Sequence, residues 1–533
     1  MKNSFYFRFF AFFLFVALAL FFTACSEKSD TVNLIPEDAQ IVMTLDLQSL
    51  GVKGKLQDLG ELPSLSFLKD ELKSEDPRVS EFFDKLMKDA KSTGIDFAQQ
   101  AYIYGVVSEY SSGGVLLSLK DAGKFEAFLK EIYALEDETF EKSDKGKNSF
   151  VALSDMYCIG WNNSSALLSF FTDSESTENS IDKNAELMNP ETVSPLTNNK
   201  QFKQFNAKKK DIGFWIDLGI YNEIQEFVPD VDVTMPYNFT DCYMDMCVNF
   251  EKDEVKTTVA SYLSDEAKEW MKMYYAVGKD FNTKIIDVFS EKSLFLITSK
   301  FNPDIDMNDL MGMMKSQLES AGMSNDETEQ LENILKEVDI LLKEMGGSFV
   351  INLSDIENGI MPTPHASIAF DIKNSTTPRD YVKKLCVEHD DVIKEIDTHF
   401  EMELGLYTMY IYIDNNLGVV TLDHKVLENL VSGKSEKPNL TASPLGDKIK
   451  KYGNYGYLEM NLERYPSWVS PMLQSIPYAS LAIDFLNYYD YVEFYSVNDY
   501  DGEMILKMKN VEHNSFYTYL LSIDAVITKA LNF

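Results

Sequence analysis

MYCIGWNNSSALLSF (156–170) and MYIYIDNNLGVVTL (409–422) state one pattern twice. In each, an apolar run meets a pair of asparagines, Asn162-Asn163 or Asn415-Asn416, and a second apolar run leads away. Asparagine accepts the positive φ that two-residue hairpin turns demand. Both stretches therefore read as antiparallel β-hairpins, and their likeness asks whether whole modules recur.

Working outward, other pieces match in order at an offset of about 250 residues. Ile35-Pro36-Glu37-Asp38-Ala39 with the strand IVMTLDL (41–47) answers Ser290-Glu291-Lys292 with SLFLITSKF (293–301). Helical spacing of three and four follows in 66–95 and in 308–345. Next come strand pairs, AYIYGVVSEY and VLLSL (101–119) against GSFVINL and ASIAFDI (347–372), then short helices at 124–132 and 379–387. Beyond the hairpins, Ser194-Pro195-Leu196 answers Ser443-Pro444-Leu445, and each module closes with a hairpin (242–263, 491–509) and a helix (264–277, 513–530). Strands arriving as hairpins make antiparallel sheets. The expected class is α+β: a tandem duplication, 34–283 and 284–533, of a module with an antiparallel or mixed sheet and helices packed on one face.

The N-terminus carries an address. Lys2 and Arg8 precede Phe9–Phe22, 14 apolar residues in a row, the length of a signal sequence core and short of a membrane span. Phe22-Thr23-Ala24-Cys25 follows. Small residues let the chain lie extended in a peptidase groove, and the cysteine offers a thiol for acylation. This resembles a lipobox, with Phe22 in place of the usual Leu. Residues 1–24 are expected to be a signal peptide cut between Ala24 and Cys25, with Cys25 carrying the lipid, palmitate included. Residues 25–33 would form a short tether, and Thr31 in Asp30-Thr31-Val32 resembles an O-glycan acceptor.

Lys and Arg number 49 against 85 Asp and Glu, a net charge of −36. So acidic a surface repels phosphate backbones, and no nucleic acid is expected as a partner. Cys158, Cys242, Cys247 and Cys386 show no metal-binding spacing. Cys242 and Cys247 fall on opposite faces of a strand and should not pair, so buried thiols are expected. His389 and His399 lie ten apart in an interval that reads as helix, about 15 Å of rise, too far for one metal. They read as surface residues. Asp304 to Asn308 begins like a calcium loop, but Asp309 and Lys315 stand where glycine and glutamate are needed. No metal and no cofactor are expected, and no nucleophile, zinc or phosphate-loop motif is present.

Tyrosines are the remaining feature. Tyr410 and Tyr412 share one strand face, and Tyr489 and Tyr491 lie in a second tyrosine-rich strand. Exposed, they would stack on sugar rings. A sheet face covered by helices is the favoured alternative, because aromatics are ordinary strand residues.

A lipobox cysteine, the opener LIPEDAQIVMTLDLQSLG (34–51) and repeated strand–helix–hairpin modules together resemble the Bacteroidota lipoproteins grouped as domain of unknown function 4836. The resemblance implies a cell-envelope location and a duplicated α+β fold; it implies no reaction. The expectation is a non-catalytic lipoprotein, held to a membrane, most naturally the outer one, by its lipid, which binds or scaffolds an envelope protein or glycan. The alternatives are an outer-membrane glycan-binding lipoprotein and a carboxylate-based hydrolase, which needs two acids within about 5–10 Å.

Overall fold

A computed structural model describes residues 30–531 apart from 56–59, 61, 109–110, 190, 223–237, 275–279, 306–335, 337, 360–361, 415, 436, 477–478 and 510–511. The chain divides into two compact units. One comprises Met1–Phe227, Phe239–Tyr262 and Asn510–Phe533; the other, Val228–Asn238 and Leu263–Lys509.

The first unit holds β1 (Ile41–Asp46), β2 (Gln100–Val106), β3 (Ser112–Ser118), β4 (Ser143–Lys145), β5 (Asn148–Ala152), β6 (Tyr157–Trp161), β7 (Ser165–Phe171), β8 (Ile212–Asp217), β9 (Tyr243–Phe250) and β10 (Glu254–Tyr262). They pair antiparallel in the order β4-β5-β6-β7-β3-β2-β1-β8-β9-β10. Helices α1 (Leu47–Lys53), α2 (Pro63–Glu75), α3 (Pro77–Lys88), α4 (Ala122–Leu135), α5 (Thr177–Leu187) and α6 (Lys200–Ala207) complete it, with the C-terminal helix described below. One sheet face meets α5, α6 and a 3-10 turn at Asp30–Leu34, burying Val42, Tyr104, Leu116, Phe150, Phe202 and Trp215 together. Near β6 the other face is covered too: Phe125 of α4 meets Trp161 edge-on at 6.2 Å, and Phe128 stacks on Phe82 of α3 at 5.9 Å. Helices thus lie on both faces here rather than on one, because β7 buries residues of both its faces.

The second unit repeats the strand order. Its strands are β11 (Phe295–Lys300), β12 (Met345–Glu357), β13 (Thr363–Ile372), β14 (Ile393–Glu395), β15 (Phe400–Leu404), β16 (Tyr407–Asp414), β17 (Leu417–Thr421), β18 (Tyr455–Glu459), β19 (Tyr489–Ser496) and β20 (Asp501–Met508). They run β14-β15-β16-β17-β13-β12-β11-β18-β19-β20, again antiparallel. Its helices are α7 (Asp265–Tyr274), α8 (Thr376–Glu388), α9 (His424–Ser432), α10 (Pro444–Tyr452), α11 (Val469–Gln474) and α12 (Ala479–Leu486). One clasp recurs as well: Leu196 N–H donates to Ile35 O and Leu440 N–H to Phe289 O, both at 2.9 Å. This places Leu196 opposite Leu440, so the sequence pairing of Leu196 with Leu445 was five residues out of step.

Several local expectations change. The interval 389–399 is a turn, the short strand β14 and a bend, not a helix; Ile393 is buried and pairs with Met402. At the first hairpin the Asn162 side chain closes the turn, accepting from the N–H groups of Ser164 and Ser165 at 2.9 Å, without a positive φ. Asn415, the calcium-like loop from 306 onward and most of 308–345 lie outside the described residues.

The C-terminal helix α13 (Ser515–Leu531) belongs to the first unit, although sequence order assigned it to the second module. The reason is local chemistry. Helix α2 has no side-chain cap of its own. Asp524 supplies one, accepting from Ser64 N–H at 2.9 Å and from its hydroxyl at 2.5 Å. Phe516 packs on Phe250 with ring centroids 4.6 Å apart.

Candidate functional site

The charged groups inside the sheets hold the fold. On β9, Asp245 is 1% exposed and accepts from Lys208 Nζ at 2.7 Å and from the Tyr262 hydroxyl at 3.0 Å. Burial works against the Lys208 charge, but the bonds to Asp245 and Tyr262 outweigh it and raise its pKa. Lys210, buried beside it, donates to the carbonyls of Phe205 (2.7 Å) and Lys208 (3.2 Å) at the end of α6, and burial pulls its pKa down to about 8. In the second unit Glu493 on β19 occupies the matching place, held by Lys448 of α10 and by the Tyr455 hydroxyl at 2.7 Å. Burial, then Glu493, drives the Tyr455 pKa far above the ordinary tyrosine range. A lysine from the covering helix thus neutralises an inward carboxylate in each unit, as buried charges require.

Three of the five histidines sit near one end of the second sheet. His365 Nδ1 lies 3.2 Å from Asp423 Oδ2, His399 Nε2 3.2 Å from Glu401 Oε1, and His424 Nδ1 3.4 Å from Glu428 Oε1. The Tyr410 ring stands 6.2 Å from His399 and 5.4 Å from His424. His399 is buried, against the surface position expected for it, while His389 is exposed as expected. His365 Nε2 also lies 3.6 Å from Glu357 Oε2, and among the described residues no three His, Cys, Asp or Glu groups could hold a metal.

Tyr410, Tyr412 and Tyr491 lie on the helix-covered face, and Tyr489, set off from Tyr491 by a β-bulge, pairs with Met508 instead. Register sets Tyr410 beside Thr421 and Tyr412 beside Val419, and Val419 is fully buried in the core. Tyr491 packs 5.5 Å from Tyr457, and Tyr489 is fully buried under Phe485 at 4.7 Å. They form no exposed strip for a sugar ring. Thr31 is 2% exposed, its Oγ1 3.0 Å from the hydroxyls of both Ser118 and Ser165. The end of the supposed tether is thus part of the fold, because Leu34 and Ile35 enter the core, and a glycan on Thr31 would have no room. Ala24 and Cys25 lie outside the described residues. Cys158, Cys242 and Cys247 are buried and Cys386 half-buried, none of them in a disulfide; burial pushes the Cys158 thiol up to about 12.

Among the described residues, the second unit leaves part of the opposite face of its sheet exposed. Met504, Phe494, Gly456, Ile297, Ile351 and Ile368 adjoin one another in register across six strands. Phe494 is 46% exposed, Ile368 43%, Met504 42% and Leu458 39%. Phe494 lies flat over Gly456, where a Cβ would meet its ring at 2.1 Å, and Phe370 covers Gly418 in the same way at 2.2 Å. These glycines let phenyl rings pave the sheet. In other proteins, contiguous exposed apolar residues of this kind mark interaction surfaces. The tyrosine count pointed to the wrong face; the alternate residues of the same strands, Val492 and Phe494, were the available signal.

Among comparisons with known proteins, a family model described as Domain of unknown function (DUF4836) matches residues 31–516. No curated protein matches. One solved structure, "Structure of crystal form III of TP0453", is similar at 9% identity over 46% of this chain and 82% of that chain, with a TM-score of 0.25.

Proposed function

The chain belongs to the family described as Domain of unknown function (DUF4836), and from that premise we propose that it is a non-catalytic, membrane-anchored lipoprotein of the Bacteroidota cell envelope that docks an apolar partner protein. The open sheet face of the second unit, with Phe494, Ile368, Met504 and Leu458 exposed, is the observation that carries this reading. The lipobox at Phe22–Cys25 supports the anchor, and acyl chains contribute ~0.8 kcal/mol per buried CH₂, enough for two or three to hold a protein on a membrane. Among the described residues no helix is long and apolar enough to cross a membrane. The shared strand order and the matching clasps of Leu196 and Leu440 support an origin of the two units by tandem duplication.

Two measurements test it. Cys25→Ser should abolish incorporation of a labelled fatty acid and block processing before residue 25; a variant processed and membrane-bound as the wild type would sink the anchor. A photo-crosslinking residue placed at Leu458 or Phe494 in native envelopes should yield one discrete protein adduct, and none when placed at Val387, 83% exposed on α8. Equal labelling at all three positions would remove the docking face.

A further inference from the structure

A second binding feature lies in the first unit, apart from the open sheet face. A cavity of about 330 Å³ opens where the loop 94–97 meets the start of α4, a volume within the range of small-ligand sites. Its walls include Ile95 and Phe97, each 3% exposed, and the exposed lysines Lys91, Lys120 and Lys124. In a chain of net charge −36, three lysines against the two carboxylates Asp96 and Asp121 run against the overall field. Among the described residues neither the Lys120 nor the Lys124 ammonium has an ion-pair partner. The backbone here is fixed: Gly94 O accepts from Lys120 N–H at 2.9 Å and Asp121 N–H at 3.0 Å, and a Cβ on Gly94 would meet Asp121 O at 2.2 Å.

Asp96 also lines the cavity, and its side chain is the decisive one. It is 8% exposed, so more than nine-tenths buried. Its Oδ1 accepts from Ala98 N–H at 3.2 Å, and its backbone N–H donates to Ser118 O at 2.8 Å, which pins its position. Its Oδ2 has no partner among the described residues. That oxygen is not sealed from solvent, and on a residue this buried a donor from a ligand would replace scarce water. The Asp96 charge also repels a plain anion drawn in by the lysines, whereas a ligand with both charges satisfies both sets of groups.

We propose that this cavity binds a small zwitterion, an amino acid or the free end of a short peptide, with its ammonium on Asp96 and its carboxylate on Lys120 and Lys124. Ile95 and Phe97 would take a small apolar side chain. The test is calorimetric titration of the mature protein with alanine, alanylalanine, N-acetyl-alanylalanine and alanylalanine amide. Binding of alanine, alanylalanine or both supports the proposal, and the ratio between them separates free amino acid from peptide end. The acetylated and amidated probes, each lacking one charge, should bind at least about tenfold more weakly than alanylalanine. Asp96→Asn keeps the acceptor for Ala98 and so the local fold; it should weaken alanylalanine at least about tenfold with an unchanged melting temperature. Lys120→Ala with Lys124→Ala should do the same. No heat from alanine or alanylalanine up to about 10 mM, acetylated probe binding as well as the free dipeptide, or an Asp96→Asn variant with unaltered affinity each overturns the proposal.

Discussion

Removing the C-terminal helix should unfold the first unit while leaving the second folded. The Asp524 carboxylate accepts two hydrogen bonds from Ser64, one from the backbone N–H at 2.9 Å and one from the hydroxyl at 2.5 Å. A hydrogen bond to a charged group contributes about 1.5–3 kcal/mol, and the acceptor here is 8% exposed. Phe516 is 7% exposed against Phe250, and loss of a buried Phe costs about 3–5 kcal/mol. The two groups together come to roughly 6 kcal/mol or more, against a total of about 5–15 kcal/mol for an ordinary domain. Trp161 and Trp215 are buried in the first unit, while Trp270 and Trp468 belong to the second. With the latter pair replaced by Phe, tryptophan fluorescence reports on the first unit alone. In urea, Asp524→Ala should lower the midpoint by about 1–2 M at a slope of about 2.5 kcal/mol/M, and a chain ending at Lys509 should lack the transition altogether. A peptide of residues 512–533 added in trans should restore part of it. An unchanged midpoint in the truncated chain, or a loss below about 0.5 kcal/mol for Asp524→Ala, would refute the assignment of this helix to the first unit.

Two further outcomes follow from buried polar groups. Lys210 titrates near 8 in the folded chain, below its ordinary 10.5, so the unfolded chain binds more protons between those values and this group adds stability as pH rises through that window. Against Lys210→Met, the wild type should gain up to roughly 3 kcal/mol from pH 8 to 10.5; a flat or falling difference in urea midpoints contradicts the buried, desolvated position. The Thr31 hydroxyl sits between those of Ser118 and Ser165, so Thr31→Val should cost about 1–3 kcal/mol. Intact-mass measurement should find no glycan on Thr31, and a hexose ladder there would show that the 3-10 turn at Asp30–Leu34 is not packed down.

Much of the architecture was legible because its signals are local. Apolar alternation, Asn162 and the Asp501-Gly502 turn mark hairpins within a few residues, and a repeated order of hairpins reveals the α+β class. What stayed hidden depends on groups distant in sequence. Asp524 and Ser64 are 460 residues apart, so no window of the chain shows that α13 caps α2. His399 reads as a surface residue while 389–399 is taken as a helix, and only the pairing of β15 with β16 brings the Tyr410 ring against it. Thr31 resembles a tether residue until β3 and β7 supply two hydroxyls.

The face of β19 is the most instructive case. Tyr491, Glu493 and Tyr495 alternate with Val492 and Phe494, and hydropathy alone turns the aliphatic set inward. The chain does the reverse, because Lys448 and the Tyr455 hydroxyl wait inside for Glu493 and rings stack there in a series. Leaving Val492 and Phe494 outside forfeits burial worth about 1.5–3 kcal/mol for each fully buried side chain, and it presents an adhesive surface to every other copy of the protein. The excess of 36 negative charges answers that hazard, since strong like charge keeps copies apart. On the proposed docking reading the acidity and the open face are coupled: like charge holds copies apart and keeps the apolar face from self-association.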